Sequence, residues 1–404
     1  MKIAVIGGGA AGFFAAINAK ENHPTAEVTL FEKSEKTLTK VKISGGGRCN
    51  VTNAATDIDD LISAYPRGGK ALKKCFSVFS TQDTRAWFEA RGVPLVVEAD
   101  QRVFPESLQS QTIVNCFWGE IEKHGIDVKQ GVEIRTLEPA GEQIKVTTGG
   151  KNPISHLLDK VIVATGGSPK LAGLIWLEKL GHKIETPTPS LFTFNMPTET
   201  ITSLPGVAVD QVLVSIQGSR LKSSGPILIT HWGLSGPAIL KLSAFGAREL
   251  FEKDYRFKIQ INWTHRTDQA EIMSEVEQLC QDHPKKKLVN INPYGLPERL
   301  WRFLLARGGF TESSRWQELG KKALNRLVNL LSNDVYEIQG KTTFKEEFVT
   351  CGGVSLASIN LKTMESKACK NLYFAGEVMD IDGITGGYNF QAAWTTAYIA
   401  ARLD

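Results

Sequence analysis

The chain has 404 residues, 42% of them hydrophobic and 22% charged, with 37 glycines and a formal net charge of +4. This length suggests two or three domains, and the composition excludes collagen, a low-complexity linker and intrinsic disorder. Forty-seven basic against 43 acidic residues is too even a balance to argue for a nucleic-acid or membrane surface, so neither partner is expected.

The first element decides most of the reading. Lys2 to Ile6 is a short β-branched run, Gly7-Gly8-Gly9-Ala10-Ala11-Gly12 follows it directly, and Phe13 to Glu21 is helix-forming. The stretch from Ile3 to Ala19, with Asn18 its one polar residue, superficially resembles a signal peptide. Its glycines would each weaken a signal helix by about 1 kcal/mol, so strand, turn and helix is the better expectation. In that context G-x-G-x-x-G is a dinucleotide fingerprint. Gly7 permits the turn, Gly9 lets backbone approach a pyrophosphate, and Gly12 lets helix pack on strand. The helix N-terminus, with Ala10 and Ala11, offers N–H groups to phosphate. A second strand, Glu27 to Phe31, ends at Glu32, placed to accept ribose hydroxyls and favouring FAD or NAD over NADP.

Further along the chain, glycines return in segments suited to an extended cofactor. Lys40 to Asn53 holds Lys42, Ser44, Gly45, Gly46, Gly47, Arg48, Cys49 and Asn50, an amide surface with a cation. The strand Lys160 to Val163 runs into Ala164-Thr165-Gly166-Gly167, whose small residues permit close approach. The strand ending in Gly376 and Glu377 places a carboxylate for ribityl hydroxyls. Asp382, Gly386, Gly387, Tyr388 and Asn389 open the last helix, expected over Phe390 to Arg402, whose N-terminus suits the flavin N1 and C2 carbonyl. Lys33, beside Glu32, and Ile134 complete the expected cofactor contacts. So many separated contact segments favour FAD over NAD alone.

Between these segments, Thr186-Pro-Thr-Pro-Ser190 reads as a domain boundary. Alternating runs such as Gln211 to Ile216 and Phe257 to Ile261 suggest a small β-barrel-like sheet. Glu271 to Cys280, Leu296 to Ala306 and Trp316 to Leu331 carry helical periodicity. The run Lys285-Lys286-Lys287 reads as a solvated turn. The six cysteines have no C-x-x-C and no ligand-like pairing with histidines, so no metal site is expected and reduced thiols in a cytoplasmic protein are. No stretch approaches the ~18 apolar residues of a membrane span.

The strings GGGAAG (7–12), TKVKISGGGRCNVTN (39–53), VTCGGVSL (349–356), TMESK (363–367) and LYFAGEVMDIDGITGGYNFQAAW (372–394) resemble the BaiN-like bacterial flavoproteins. That family has members described as aminoacetone oxidases and as bile-acid enoyl reductases. THWGLSGPAILKLS (230–243) and LPERLWRFLL (296–305) extend the resemblance through the middle of the chain. More distantly, Thr350 to Gly353 and the Ala-Gly-Glu segment are similar to fumarate reductase flavoprotein subunits. The resemblance implies a Rossmann-like α/β FAD domain, discontinuous over 1–188 and 340–404. The insertion at 189–339 would be β-rich over 189–265 and helical over 266–332, and would form a substrate pocket. With no histidine in the SGGG segment for a covalent bond, FAD is expected to be noncovalent.

No second G-x-G-x-x-G follows a strand, so a separate NAD(P)H domain is not expected. Either NADH or NADPH reaches the flavin transiently, or the small organic substrate reduces it and oxygen reoxidises it. Both routes imply hydride transfer at flavin N5, in enoyl reduction or amine oxidation. The alternative class is a noncatalytic FAD-binding redox sensor working through a partner. The catalytic candidates are His231 as acid or base, Tyr388 as proton donor, and Arg102 as a clamp on a carboxylate or carbonyl.

Overall fold

The computed structural model describes residues 1–343 and 349–403. The chain forms two compact units, one from Met1–Ser190 with the described residues beyond Thr343, the other Leu191–Thr343.

At the centre of the first unit is a seven-stranded sheet. The strands Leu372–Phe374, Lys160–Val163, Lys2–Ile6, Glu27–Phe31 and Asp127–Lys129 lie side by side, all parallel. Antiparallel pairs at Glu365–Ser366 and Ile359–Asn360 finish one edge. Ile3 to Ile6 are buried, as a strand with neighbours on both sides and helices on its faces requires, which is why the run is continuously apolar. The first helix, Ala10–Asn22, buries every residue from Ala11 to Ala19. Its Phe14 ring lies 4.6 Å from Trp87 and 5.2 Å from Trp394, and Phe13 lies 5.3 Å from Trp118. An aromatic core of this kind locks the first helix against the last, Tyr388–Ala400.

Around this sheet the unit carries smaller ones. Thr52–Asn53, Arg102–Pro105 and Leu95–Val97 form a three-stranded sheet, and Ile134–Ala140, Gln143–Thr148 and Ser155–Leu158 another. The Pro-rich segment read as a boundary ends at Ser190, where the two units divide, and it is itself part of a strand, Ile184–Ser190, antiparallel to Val349–Val354. The register shifts between Glu185 and Thr188. A two-stranded ladder has two edges, where proline's missing donor is tolerated.

In the second unit, another seven-stranded sheet joins Asp334–Gln339, Arg256–Asn262, Ala208–Ile216, Lys222–Thr230, Gly233–Ser235, Thr193–Asn195 and Lys341–Thr342 in that order. The two outermost strands follow one another through Gly340, whose N–H donates to the Tyr255 carbonyl and whose carbonyl accepts from Asn195. The ladder itself is open, so a closed barrel is not established. Helices Pro237–Phe245 and Ala247–Glu252 interrupt the stretch read as β-rich. The three expected helices lie at Gln269–Asp282, Glu298–Arg307 and Lys321–Ser332, and Trp316–Glu318 forms a separate 3₁₀ turn. Trp263, Trp301, Trp316 and Tyr336 anchor this second core. Among the described residues, no helix is long and apolar enough to cross a membrane.

Candidate FAD site

The nucleotide-binding start folds as its spacing requires. Gly7 has φ +115°, and a Cβ there would lie 2.3 Å from the Ala164 carbonyl oxygen. At Gly12 a Cβ would lie 1.8 Å from the Gly7 oxygen, so helix and turn touch where only hydrogen fits. Gly9 differs from both. Its φ of −93° suits any residue, and a Cβ would meet no atom of the described residues within 4 Å. None of the described residues demands glycine at this position, whereas a phosphate lying against the backbone would. Ala10 and Ala11 begin the helix with no side-chain cap, which leaves their N–H groups to a ligand.

Glu32 follows the second strand, its carboxylate accepting the Gly8 N–H at 2.6 Å and the Ser34 N–H at 2.9 Å. These bonds hold it with lone pairs to spare for ribose hydroxyls. The Val132 N–H donates to the Glu32 carbonyl, bringing the segment that enters Ile134 alongside. Lys33 is exposed beside Glu32.

The second glycine segment breaks a short helix. Ser44 leaves helical geometry, Gly45 and Gly46 take φ +58° and +69°, and Gly47 takes φ +85°. Room for a Cβ is open at Gly46, Gly47 and Gly166, while at Gly45 it would press on Phe104 at 2.9 Å. Ser44 is turned inward, donating to the Val41 carbonyl, and Lys42 is exposed. Cys49 is buried, and burial pushes its thiol up to about 12, so it is a packing residue rather than a nucleophile.

Across from this loop, Glu377 accepts the Thr350 N–H and pairs with Lys40, both at 2.8 Å. A Cβ on Gly167 would come within 2.5 Å of Thr350 Oγ1 and 2.6 Å of Glu377 Oε1. The Thr350 hydroxyl is buried with no partner among the described residues, an orphan that ribityl hydroxyls would satisfy. Gly376, with φ +75°, sits over Ala11. The last helix starts at Tyr388 behind Gly387, again without a side-chain cap, so its first N–H groups and positive end are available where reduced flavin gathers charge. Together these features fit FAD.

Several expected contacts serve the protein itself. With its amide oriented to satisfy both ends, Asn50 donates to Thr52 O at 2.9 Å and accepts the Gly387 N–H at 2.9 Å. Asn389 closes its own loop, bonding both N–H and carbonyl of Gly383. Asp382, with no exposed surface, is paired to Arg67 and accepts from Ser190. Residues missed in the sequence complete the clamp. Asn53 donates to Gly386 O at 3.1 Å, and Thr52 and Thr84 both donate to Gln391, at 2.6 and 2.8 Å. Gln391 stood out as a polar residue in the apolar run Phe390 to Trp394, while Thr84, in the polar run Ser80 to Arg85, carried no such signal.

Arg48 and Arg102 converge on one carboxylate. Glu98 accepts Arg48 Nη1 at 2.6 Å and Arg102 Nη2 at 3.0 Å. Arg48 also donates to Gly45 O and lies 4.1 Å from the Phe104 ring centroid. Arg102 pairs with Asp100 as well, at 2.6 Å. Tyr388 is half-buried. Its phenol is pushed up by burial, then by the charges of Asp60 and Asp100, so it stays protonated. His231 lies in the other unit, exposed on the two-residue turn between Lys222–Thr230 and Gly233–Ser235, its ring against Trp232. Among the described residues its ring makes no hydrogen bond or ion pair. Elsewhere, Glu21, Glu120 and His124 cluster within 4.8 Å, but Arg91 pairs with both carboxylates, which makes the cluster an ion-pair network.

Comparison with known proteins places this site in a family. The chain is 25% identical over 413 residues to a 3-dehydro-bile acid Δ(4,6)-reductase of Clostridium scindens, covering 99% of this chain and 98% of that protein. It is 28% identical to a ribosomal RNA dihydrouridine synthase of Haemophilus influenzae and 29% identical to one of Escherichia coli, each covering 98% of this chain and 96% of the relative. Among solved structures, a 3-ketosteroid Δ1-dehydrogenase from Sterolibacterium denitrificans superposes with a TM-score of 0.53 at 10% identity, covering 99% of this chain and 98% of that one. The expectation that nucleic acid plays no part loses its support, because two relatives are named for acting on RNA. The HI0933-like protein Rossmann domain matches residues 1–403, and the chain belongs to that family of FAD-dependent oxidoreductases.

Proposed function

We propose that the protein reduces a carbon–carbon double bond conjugated to a carbonyl, with NADH or NADPH as the electron source. Bound FAD supplies two-electron hydride chemistry at N5. The observation that carries the reading is the pair of guanidiniums, Arg48 and Arg102, sharing Glu98 beside the Gly45–Gly47 loop. Each guanidinium has five N–H donors, of which Glu98, Asp100 and Gly45 take only some. The rest suit a carbonyl oxygen that gains negative charge as the conjugated bond is reduced. Tyr388 suits delivery of the proton that completes the reduction, since burial and its acidic neighbours keep the phenol protonated. The relatives' names agree, because a Δ(4,6)-reductase and a dihydrouridine synthase each saturate a double bond conjugated to a carbonyl. Arg102→Ala is expected to lower kcat/KM for such a substrate by about 10²-fold or more while FAD content holds, and Arg48→Ala to lower it as far with weaker FAD retention, since Arg48 also braces the Gly45 carbonyl of the cofactor loop. Unchanged turnover in both variants would remove the assigned role.

A further inference from the structure

Two tyrosines meet at the start of the last helix, and they use their hydroxyls differently. The half-buried Tyr388 has close neighbours around its ring. A Cβ on Gly386 would lie 2.8 Å from Tyr388 Cε2, and one on Gly383 would lie 2.9 Å from Tyr388 Cβ, so a larger residue at either place would displace the ring. The Tyr65 ring meets it edge-on, with centroids 6.0 Å apart and planes at 78°. Yet among the described residues the Tyr388 hydroxyl makes no hydrogen bond. A confined ring with an uncommitted hydroxyl is what a preorganised donor requires.

Tyr65 is the opposite case. It is 5% exposed, and a buried phenol needs an acceptor. The one it takes is the backbone carbonyl of Tyr388, to which it donates at 2.6 Å. Burial, and then the neighbouring Tyr388 phenol, push the Tyr65 phenol well up, so it keeps its proton and goes on donating. Its ring is backed in turn by Phe76, 5.3 Å away between centroids. The segment around Tyr65 is tied to the same loop twice more. The Ile384 N–H donates to the Ala64 carbonyl at 2.9 Å, and Arg67 pairs with the buried Asp382 across an antiparallel bridge. A tyrosine that merely fills a core needs one acceptor of any kind. This one belongs to a bracket whose attachments all fall between Asp382 and Tyr388.

We propose that Tyr65 is a positioning residue, holding Tyr388 in the orientation from which its phenol delivers a proton. The proposal rests on the reaction class proposed above. There one carbon of the conjugated bond gains the hydride and the other gains the phenol proton, and water reprotonates the Tyr388 phenolate. Tyr65 does not take over the delivery, because its own proton is committed to the carbonyl.

The test uses full-length, FAD-loaded protein as wild type, Tyr65→Phe, Tyr388→Phe and the double variant. Each is reduced anaerobically with NADH or NADPH and mixed with cyclohexenone, and reoxidation of the flavin is followed over a single turnover. In Tyr65→Phe the limiting rate is expected to fall about tenfold or more, while the enone concentration giving half that rate and the FAD content hold. Added to Tyr388→Phe, the same change should alter the limiting rate by less than about twofold, because the group it positions is already gone. A fluorotyrosine placed at position 388 supplies a readout that needs no turnover: its ring flips, followed by fluorine NMR line shape, should be faster in Tyr65→Phe. Wild-type limiting rate and flip rate in Tyr65→Phe, even with a lowered melting temperature, would overturn the proposal, as would an undiminished loss on top of Tyr388→Phe. If the wild type leaves the enone unreduced, or Tyr388→Phe reduces it at full rate, the reading above fails instead. The flip rate alone then decides for or against the hold of Tyr65 on Tyr388.

Discussion

Asn50 accepts the backbone N–H of Gly387 at 2.9 Å, joining the second glycine segment to the start of the last helix across 337 positions of sequence. Thr52 and Asn53 add bonds to Gln391 and Gly386, and Gln391 also donates to Thr395. The start of the last helix is therefore held by side chains of the second glycine segment. Gln391→Leu leaves the buried Thr52 hydroxyl without its acceptor and Thr84 with only the Ser80 carbonyl. It should destabilise the protein by about 2 kcal/mol or more, measured by urea unfolding. A stability within about 0.5 kcal/mol of wild type would mean that the network contributes little.

Gly9 and Gly12 should respond oppositely to the same added methyl. Gly9→Ala meets nothing within 4 Å, so the apoprotein should melt as wild type does while FAD binds at least tenfold more weakly. Gly12→Ala drives a Cβ to 1.8 Å from the Gly7 oxygen and should impair folding itself. Thermal melts of the apoproteins and FAD titration separate the two effects. Full FAD affinity in Gly9→Ala would remove the pyrophosphate assignment.

Glu32→Ala loses the acceptor for the Gly8 and Ser34 N–H groups together with the ribose contact. FAD should be retained poorly through gel filtration and bind about tenfold or more weakly, since a hydrogen bond to a charged group contributes about 1.5–3 kcal/mol. Unchanged affinity would refute the ribose assignment.

Two buried groups set a pH dependence. His182 contacts Leu177 O at 2.8 Å and the Ser366 hydroxyl at 2.7 Å, and burial holds its pKa below the usual 6.5. Below that value the unfolded chain binds a proton that the native imidazole refuses, so stability falls as pH drops through 6.5. At the alkaline end the Cys49 thiol is raised from 9.0 to about 12. Between these values the unfolded thiol ionises and the native one does not, so this contribution declines as pH rises through that window. Melting temperatures across pH should show the acid-side loss reduced in His182→Gln. At pH 8 a thiol reagent should leave Cys49 unmodified in the native protein.

The strand, glycine turn, helix and Glu32 were legible because each follows a local rule of periodicity or turn chemistry, and those rules act within about 30 residues. The positions of Gly7, Gly12, Gly45 and Gly376 follow from how closely other atoms approach them. Local rules could not say which polar side chains turn inward. Asn50, Asn389 and Asp382 stand in cofactor-like segments, yet their partners are Gly387, Gly383 and Arg67, and two of these three contacts span hundreds of positions. Pro187 and Pro189 signal a chain break in sequence, and only the long-range pairing with Val349–Val354 makes them part of a strand. Lys285 and Lys286 lie exposed in the turn that the sequence suggests, and only the long-range bridge between Lys287 and Arg315 was not legible there.

The most direct test of the proposed reaction is anaerobic mixing. The FAD-loaded protein is reduced with NADH or NADPH and then mixed separately with a 3-oxo-Δ4,6 bile acid and with a uridine-containing stem-loop RNA, while flavin absorbance is followed. Bleaching by a nucleotide, then recovery of the oxidised spectrum with one of these substrates and an equal yield of its saturated product, is the predicted result. Flavin that neither nucleotide bleaches but an amine does, or reduced flavin that only oxygen reoxidises, would contradict reduction of a conjugated double bond.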